Sequence, residues 1–170
     1  IGFVAQKANL FSGTIEENIR FGREDATDEE VRHAAEIAQA MDFIMDKPNG
    51  FQEKIVEGAG NLSGGQKQRL SITRALVRKP DIYIYDDSFS ALDMKTDALL
   101  RQALKSEVKN AVVIIVAQRV STIMDADQIL VLDEGRLAAV GRHKELLKEC
   151  PLYYEIAASQ LSEEELQNVR

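Results

Sequence analysis

Hydrophobic residues form two different patterns along this chain, helical spacing and short continuous runs. Helical spacing is clearest in residues 28–38, where apolar side chains recur at intervals of three and four residues: Val31, Ala34, Ala35 and Ala38. A second helix is predicted to pass through Leu70 and Leu76 and to stop near Pro80. Continuous apolar runs at 82–85 and 112–117 instead predict buried strands, as in a parallel sheet covered on both faces.

Short local motifs predict where several of these elements begin and turn. Three places have Ser or Thr followed three residues later by Glu or Gln, the spacing of a capping box: Thr14 with Glu17, Thr27 with Glu30, and Ser63 with Gln66. The apolar runs 129–132 and 137–140 flank Asp133-Glu134-Gly135, which predicts a β-hairpin. The stretch Gly141–Leu147 is predicted to open a pair of C-terminal helices.

The helix that begins at Ser63 carries two glycines in its first turn. Each glycine costs roughly 1 kcal/mol of helix stability relative to alanine, so Gly64 and Gly65 favour a close approach of another group to the backbone. A helix N-terminus offers free N–H groups and about half a positive charge. The run Leu62–Gln66 is therefore predicted to contact an anion.

Two adjacent carboxylates follow the apolar run at 82–85. Asp86 and Asp87 would repel a polyphosphate, so a divalent cation is expected between them and the phosphates. Mg²⁺ suits hard oxygen ligands and retains several waters. Because neighbouring strand residues point to opposite faces, the two acids are expected to have different roles.

Composition narrows the class of protein. The 170 residues suggest about one domain, and 45% hydrophobic with 29% charged residues is typical of a soluble globular chain. No apolar run approaches the ~20 residues of a membrane span. With Cys150 as the single cysteine, no internal disulfide forms. A formal net charge of −7 disfavours nucleic acid as a partner.

Several of these motifs together resemble those of ATP-binding-cassette ATPases, over about residues 2–154. Leu62–Gln66 is similar to the signature motif, and the strand ending in Asp86-Asp87 is similar to Walker B. Gln6 ahead of Leu10–Ile15 looks like the Q-loop of exporter-type cassettes, and Ser90–Asp93 looks like the D-loop. The resemblance implies that Leu62, Ser63, Gly64, Gly65, Gln66, Ser90 and Asp93 contact ATP, that Asp86 and Gln6 hold Mg²⁺, and that Asp87, Gln118 and Gln6 are catalytic.

The resemblance also implies an α/β fold, with a P-loop NTPase-type parallel sheet flanked by helices and an inserted helical subdomain. On this basis residues 1–12 are the Q-loop end of the core, 13–61 the helical subdomain with the signature helix continuing to about 79, 80–158 the ATPase core, and 159–170 a tail. No G-x-x-x-x-G-K-[ST] motif occurs in the sequence. The chain is therefore interpreted as a fragment that begins just before the Q-loop, lacks the P-loop strand, and is inactive alone.

Two positions depart from the family pattern. Position 87 is Glu in a competent cassette, and the shorter Asp87 matters because a misplacement of about 1 Å can cost on the order of a hundredfold in rate. Position 118 is His in exporters, whereas Gln118 can donate a hydrogen bond but cannot become a cation. Together they predict a degenerate nucleotide site, as in one half of a heterodimeric multidrug-type exporter, beside a consensus signature that completes the partner's site.

Three functions stay open at this point. The resemblance favours the ATP-binding and hydrolysing subunit of an exporter at the cytoplasmic face of the cell membrane, with transmembrane domains and a second, different nucleotide-binding domain as partners. The alternative is a soluble, non-transport cassette ATPase of DNA repair or a translation factor, families that lack the Leu10–Ile19 segment. The third is a non-catalytic module that closes on ATP to complete the partner's site.

Overall fold

The computed structural model describes residues 1–167, which form two compact units, Ile1–Val116 and a second unit that begins at Ala117. The strands of the first unit are β1 (Gly2–Val4), β2 (Gly13–Thr14), β3 (Lys54–Ile55), β4 (Ile82–Asp86) and β5 (Val112–Val116), and its helices are α1 (Ile15–Arg20), α2 (Asp28–Ile37), α3 (Met41–Met45), α4 (Gly64–Val77) and α5 (Met94–Glu107). The second unit contains α6 (Val120–Ile123), β6 (Ile129–Asp133), β7 (Arg136–Gly141), α7 (His143–Glu149), α8 (Pro151–Ala158) and α9 (Glu163–Gln167).

The first unit is built on a parallel sheet with the strand order β1-β4-β5. In its register Phe3 pairs with Ile84, and Ile84 pairs with Ile114. Helix α5 connects β4 to β5, as the crossover between adjacent parallel strands requires. A short antiparallel pair, β2 with β3, lies outside this sheet. The mixed α/β class and the parallel sheet flanked by helices are confirmed.

One expectation about the sheet is wrong. The apolar run at 112–117 does form a strand, β5, but its side chains are largely exposed: Val112 by 58%, Ile114 by 48% and Val116 by 52%. In β4, Tyr83 and Tyr85 are buried, while Ile82, Ile84 and Asp86 are only half-buried. A β-branched run predicts extended backbone, but burial depends on which elements pack on each face, and the elements described here leave β5 facing solvent.

Helix α4 is the central helix of the first unit and packs against β1, α1 and α2. Its buried apolar side chains include Leu70, Ile72 and Val77. The capping box at its start is confirmed, because Ser63 Oγ accepts the Gln66 N–H at 3.2 Å and Gln66 Oε1 accepts the Ser63 N–H at 3.0 Å. The boxes at Thr14 and Thr27 are formed in the same way.

The second unit contains the predicted hairpin and helix pair. Glu134 and Gly135 form the two-residue turn between β6 and β7, with left-handed φ values of 45° and 75° that match the twist of the strands. Helices α7 and α8 follow and pack against each other. The last three residues of the predicted tail, 168–170, lie outside the described residues, and the predicted subdomain limits remain predictions. None of the helices within 1–167 has the length and apolar character needed to cross a membrane.

Candidate functional site

The start of α4 is open to solvent on one side. Ser63 and Gly64 are exposed, and a Cβ added at Gly64 would meet no atom within 4 Å. At Gly65 an added Cβ would lie 3.2 Å from the Ala91 carbonyl oxygen. Any larger residue at Gly65 would thus press on the chain's own 90–93 loop, which would have to shift by a few tenths of an ångström. Gly64 instead leaves free space beside first-turn N–H groups that have no acceptor within the helix, and this space suits an anion.

The two predicted carboxylates occupy different positions at the end of β4. Asp86 is the last strand residue and is half-buried. Asp87 is 9% exposed and takes the left-handed φ of 45°, a conformation that Asp adopts more readily than most residues. Its backbone is fixed on both sides, because its N–H donates to Val116 O at 2.8 Å and its carbonyl accepts from Ser90 Oγ at 2.8 Å.

Gln6 and Asp87 are brought into contact although they are 81 residues apart in sequence. Gln6 Nε2 donates to Asp87 Oδ2 at 3.1 Å. The Gln6 carbonyl and the carboxylates of Asp86 and Asp87 are hard oxygen donors, the type that Mg²⁺ binds. Within residues 1–167 no group of three or more His, Cys, Asp or Glu side chains is arranged to hold a metal ion. A Mg²⁺ ion bound through these few oxygens would complete its shell with water and phosphate oxygens.

Side chains of the 90–93 loop form hydrogen bonds to neighbouring parts of the chain. Asp93 caps α5, accepting the Thr96 N–H at 2.9 Å and the Thr96 hydroxyl at 2.7 Å. These hydrogen bonds from Thr96 lower the pKa of the Asp93 carboxyl. The Ser90 hydroxyl donates a hydrogen bond to the Asp87 carbonyl. Both side chains thus have structural partners within the chain, and their contact with ATP remains a prediction.

Gln118 lies in the second unit, just beyond the end of β5, and is exposed. Gln160 holds the backbone around it: Gln160 Nε2 donates to Gln118 O at 3.0 Å, and Gln160 Oε1 accepts the Val120 N–H at 2.9 Å. The predicted catalytic role of Gln118 remains a prediction, whereas the other predicted residues all lie in the first unit.

Sequence reasoning missed four polar residues that support these positions. Ser88 is fully buried, and its hydroxyl donates to Val4 O at 2.9 Å, joining the end of β4 to the end of β1. Gln68 and Asn18 are each 2% exposed. Both make long-range hydrogen bonds, as does Arg74. For Asn18, Gln68 and Arg74 the available signal was a polar residue within a predicted helix, whereas Ser88 lies in the loop after β4 and had no such signal.

A family model described as ABC transporter matches residues 1–90, just over half of the chain. The chain belongs to the ABC transporter family. This confirms the resemblance seen in the sequence.

Relatives and a solved structure agree with this assignment. The chain is 45% identical over 163 residues to the ATP-dependent lipid A-core flippase of Chromobacterium violaceum, covering 96% of this chain and 28% of the flippase. It is 48% identical over 160 residues to the human ATP-binding cassette sub-family B member 5, covering 94% of this chain and 13% of that protein. A bacterial Atm1-family ABC exporter with ATP bound shares 42% identity with a TM-score of 0.91, over 95% of this chain and 29% of the exporter chain.

The match to the Atm1-family exporter confirms that this chain has the same fold as the part of the exporter to which it aligns. It also bears on the open functions, because one relative is a flippase and the solved structure is an exporter by name, so the soluble non-transport alternative is not favoured. The chain spans only 28% of the length of the flippase and 29% of the exporter chain.

Proposed function

We propose that this chain is the ATP-binding and hydrolysing part of an ABC exporter that uses ATP to move a solute across a membrane. The observation that carries the proposal is the contact of Gln6 with Asp87 at the end of β4, 3.1 Å long, on the same unit as the open N-terminus of α4. One group of residues offers oxygen donors for a cation, and the other offers backbone N–H groups for a phosphate.

The roles follow from the chemistry of each group. Asp86 and the Gln6 carbonyl hold Mg²⁺, which neutralises phosphate charge when bound. Asp87 accepts a hydrogen bond from the attacking water and orients it, and Gln118 donates a hydrogen bond towards the γ-phosphate. Leu62–Gln66 contacts ATP held by the opposite cassette, with Ser90 and Asp93 beside it. The Leu62 side chain is buried, so its contribution is to anchor the loop.

The departures at positions 87 and 118 make the two nucleotide sites of the dimer unequal. Asp87 reaches one methylene less far than Glu, and Gln118 cannot shuttle a proton. The chain's own site therefore binds ATP and hydrolyses it slowly, while its consensus signature completes a competent site on a different partner cassette. The partners are that second cassette and a pair of transmembrane domains, and the location is the cytoplasmic face of the cell membrane. The net charge of −7 agrees with a protein that does not bind nucleic acid.

The proposal is tested by asking what the ATP turnover of the full-length protein depends on. We expect that the full-length protein is recovered from membranes by detergent extraction. Its ATP turnover should require Mg²⁺ and should not change when DNA or RNA is added. Asp86→Asn should remove binding of Mg·ATP at this site, whereas Asp81→Asn, the same change at an exposed position before β4, should not. Recovery in the soluble fraction with turnover that rises on adding nucleic acid would instead support the non-transport alternative.

A further inference from the structure

The backbone on both sides of Gln6 is tied to α4. Gln68 Nε2 donates to Ala5 O at 3.1 Å, and Arg74 Nη1 donates to Asn9 O at 2.9 Å. Gln68 and Arg74 lie less than two turns apart on this one helix. The segment that carries Gln6 is thus held at both ends by the helix that begins with the signature.

Arg74 also holds the next part of this segment, at Phe11, through the side chain of Asn18. Its Nε donates to Asn18 O and its Nη2 to Asn18 Oδ1, both at 2.9 Å. The Asn18 amide in turn accepts the Phe11 N–H at 2.9 Å and donates to the Phe11 carbonyl at 2.9 Å. One guanidinium therefore fixes Asn9 directly and Phe11 through a buried amide whose donors and acceptor are all used.

Packing around Arg74 reinforces these hydrogen bonds. Its guanidinium carbon lies 5.1 Å from the Phe11 ring centroid and 5.7 Å from that of Phe21. A Cβ added at Gly22 would lie 2.1 Å from Arg74 O, so the chain after α1 passes directly over the backbone of α4. A lysine at position 74 could not make the three planar contacts, because its single ammonium cannot reach three separate acceptors in the same geometry.

We infer that Gln68 and Arg74 are positioning residues that make Gln6 move together with α4. This inference rests on the proposed function, in which Gln6 serves this chain's own nucleotide while the start of α4 contacts the partner's nucleotide. A displacement of α4 is then transmitted to the 3.1 Å contact between Gln6 and Asp87. The two nucleotide sites of the dimer are coupled through these two side chains.

Hydrogen exchange on the full-length protein tests the tether itself. The reporter is the Phe11 amide, which donates to Asn18 Oδ1. In Arg74→Lys its exchange should be about fivefold to tenfold faster, the scale of one weakened hydrogen bond. The matched control is Arg78→Lys, the same change at an exposed position at the end of α4. Unchanged exchange at Phe11, or equal acceleration throughout β4 and α2, overturns the tether.

A double-variant comparison tests whether the positioning acts through Gln6. ATP turnover at this chain's own site is measured in the assembled dimer with the partner's site disabled, for Gln68→Met, Gln6→Ala and the two combined. If Gln68 acts through Gln6, the combined variant loses no more turnover than Gln6→Ala alone. Losses that multiply overturn the inference, because they indicate independent structural damage. A Gln6→Ala variant with full turnover would refute the role given to Gln6 in the proposed function, and the Phe11 exchange would still decide the tether.

Discussion

Lengthening Asp87 by one methylene should restore hydrolysis at this chain's own site. Asp87→Glu extends the side chain by one C–C bond, about 1.5 Å. A carboxylate displaced by about 1 Å can account for on the order of a hundredfold in rate, so the expected gain reaches about that size. The native Oδ2 lies 3.1 Å from Gln6 Nε2, and the longer chain should carry the carboxylate past this contact.

The backbone at Asp87 sets a stability cost for the same substitution. A φ of 45° costs an ordinary L-residue about 1–2 kcal/mol, and Asp escapes part of this through local hydrogen bonding. The hydrogen bonds of Asp87 to Val116 and Ser90 hold this conformation in place. Asp87→Glu should therefore lower the free energy of unfolding by about 1 kcal/mol while raising turnover.

The assay is ATP turnover by the full-length dimer with the partner's site disabled, comparing Asp87→Glu, Gln118→His and both together. Asp81→Glu is the matched control, because it makes the same change at an exposed residue next to β4. The double variant should gain most. No gain in the double variant, with folding intact, would refute the idea that these two positions limit hydrolysis.

Three further predictions concern stability. Gly22→Ala should destabilise the chain by about 1–3 kcal/mol in denaturant unfolding, because its Cβ falls 2.1 Å from Arg74 O, while Gly60→Ala, whose Cβ meets nothing within 4 Å, should not. Tyr85→Phe should stabilise by about 1 kcal/mol, because the buried Tyr85 hydroxyl finds no hydrogen-bond partner within residues 1–167, and a clear loss of stability would contradict this. Burial lowers the pKa of His143 below its ordinary 6.5, so stability is complete above about pH 6.5 and falls as the pH drops through the lower folded-state pKa. The melting temperature should thus decrease between pH 7 and pH 5, and less so in His143→Gln.

Features set by local chemistry were predictable from the sequence. The capping boxes at Thr14, Thr27 and Ser63 involve a side chain and a backbone group three residues apart, so spacing alone identifies them. The hairpin turn was likewise predictable, because Gly135 readily adopts the positive φ that a two-residue turn requires.

Long-range features were less accessible. The exposure of Val112 and Ile114 depends on what covers the sheet, which a run of apolar residues does not specify. The bonds from Gln68 to Ala5 and from Arg74 to Asn9 span 63 and 65 residues, and no local pattern indicates them. The contact of Gln6 with Asp87 spans 81 residues, and spacing along the chain does not indicate it either.

The central claim is that the signature of this chain serves the partner's site while its own site is weak. Gly64→Leu tests the first part, because a Cβ at this position meets nothing within 4 Å and the added side chain starts in the open space beside the N-terminus of α4. Ser63→Ala is a poorer probe, since it also removes an N-cap worth about 0.5–2 kcal/mol. Ala98→Leu, at an exposed position on α5, is the control for an added leucine.

The decisive measurement is ATP turnover of the assembled transporter carrying Gly64→Leu or Asp87→Asn. The account predicts that Gly64→Leu removes most of the turnover, that Ala98→Leu removes none, and that Asp87→Asn removes little. If Asp87→Asn proves as damaging as Gly64→Leu, this chain's own site is the catalytic one and the asymmetric account is wrong.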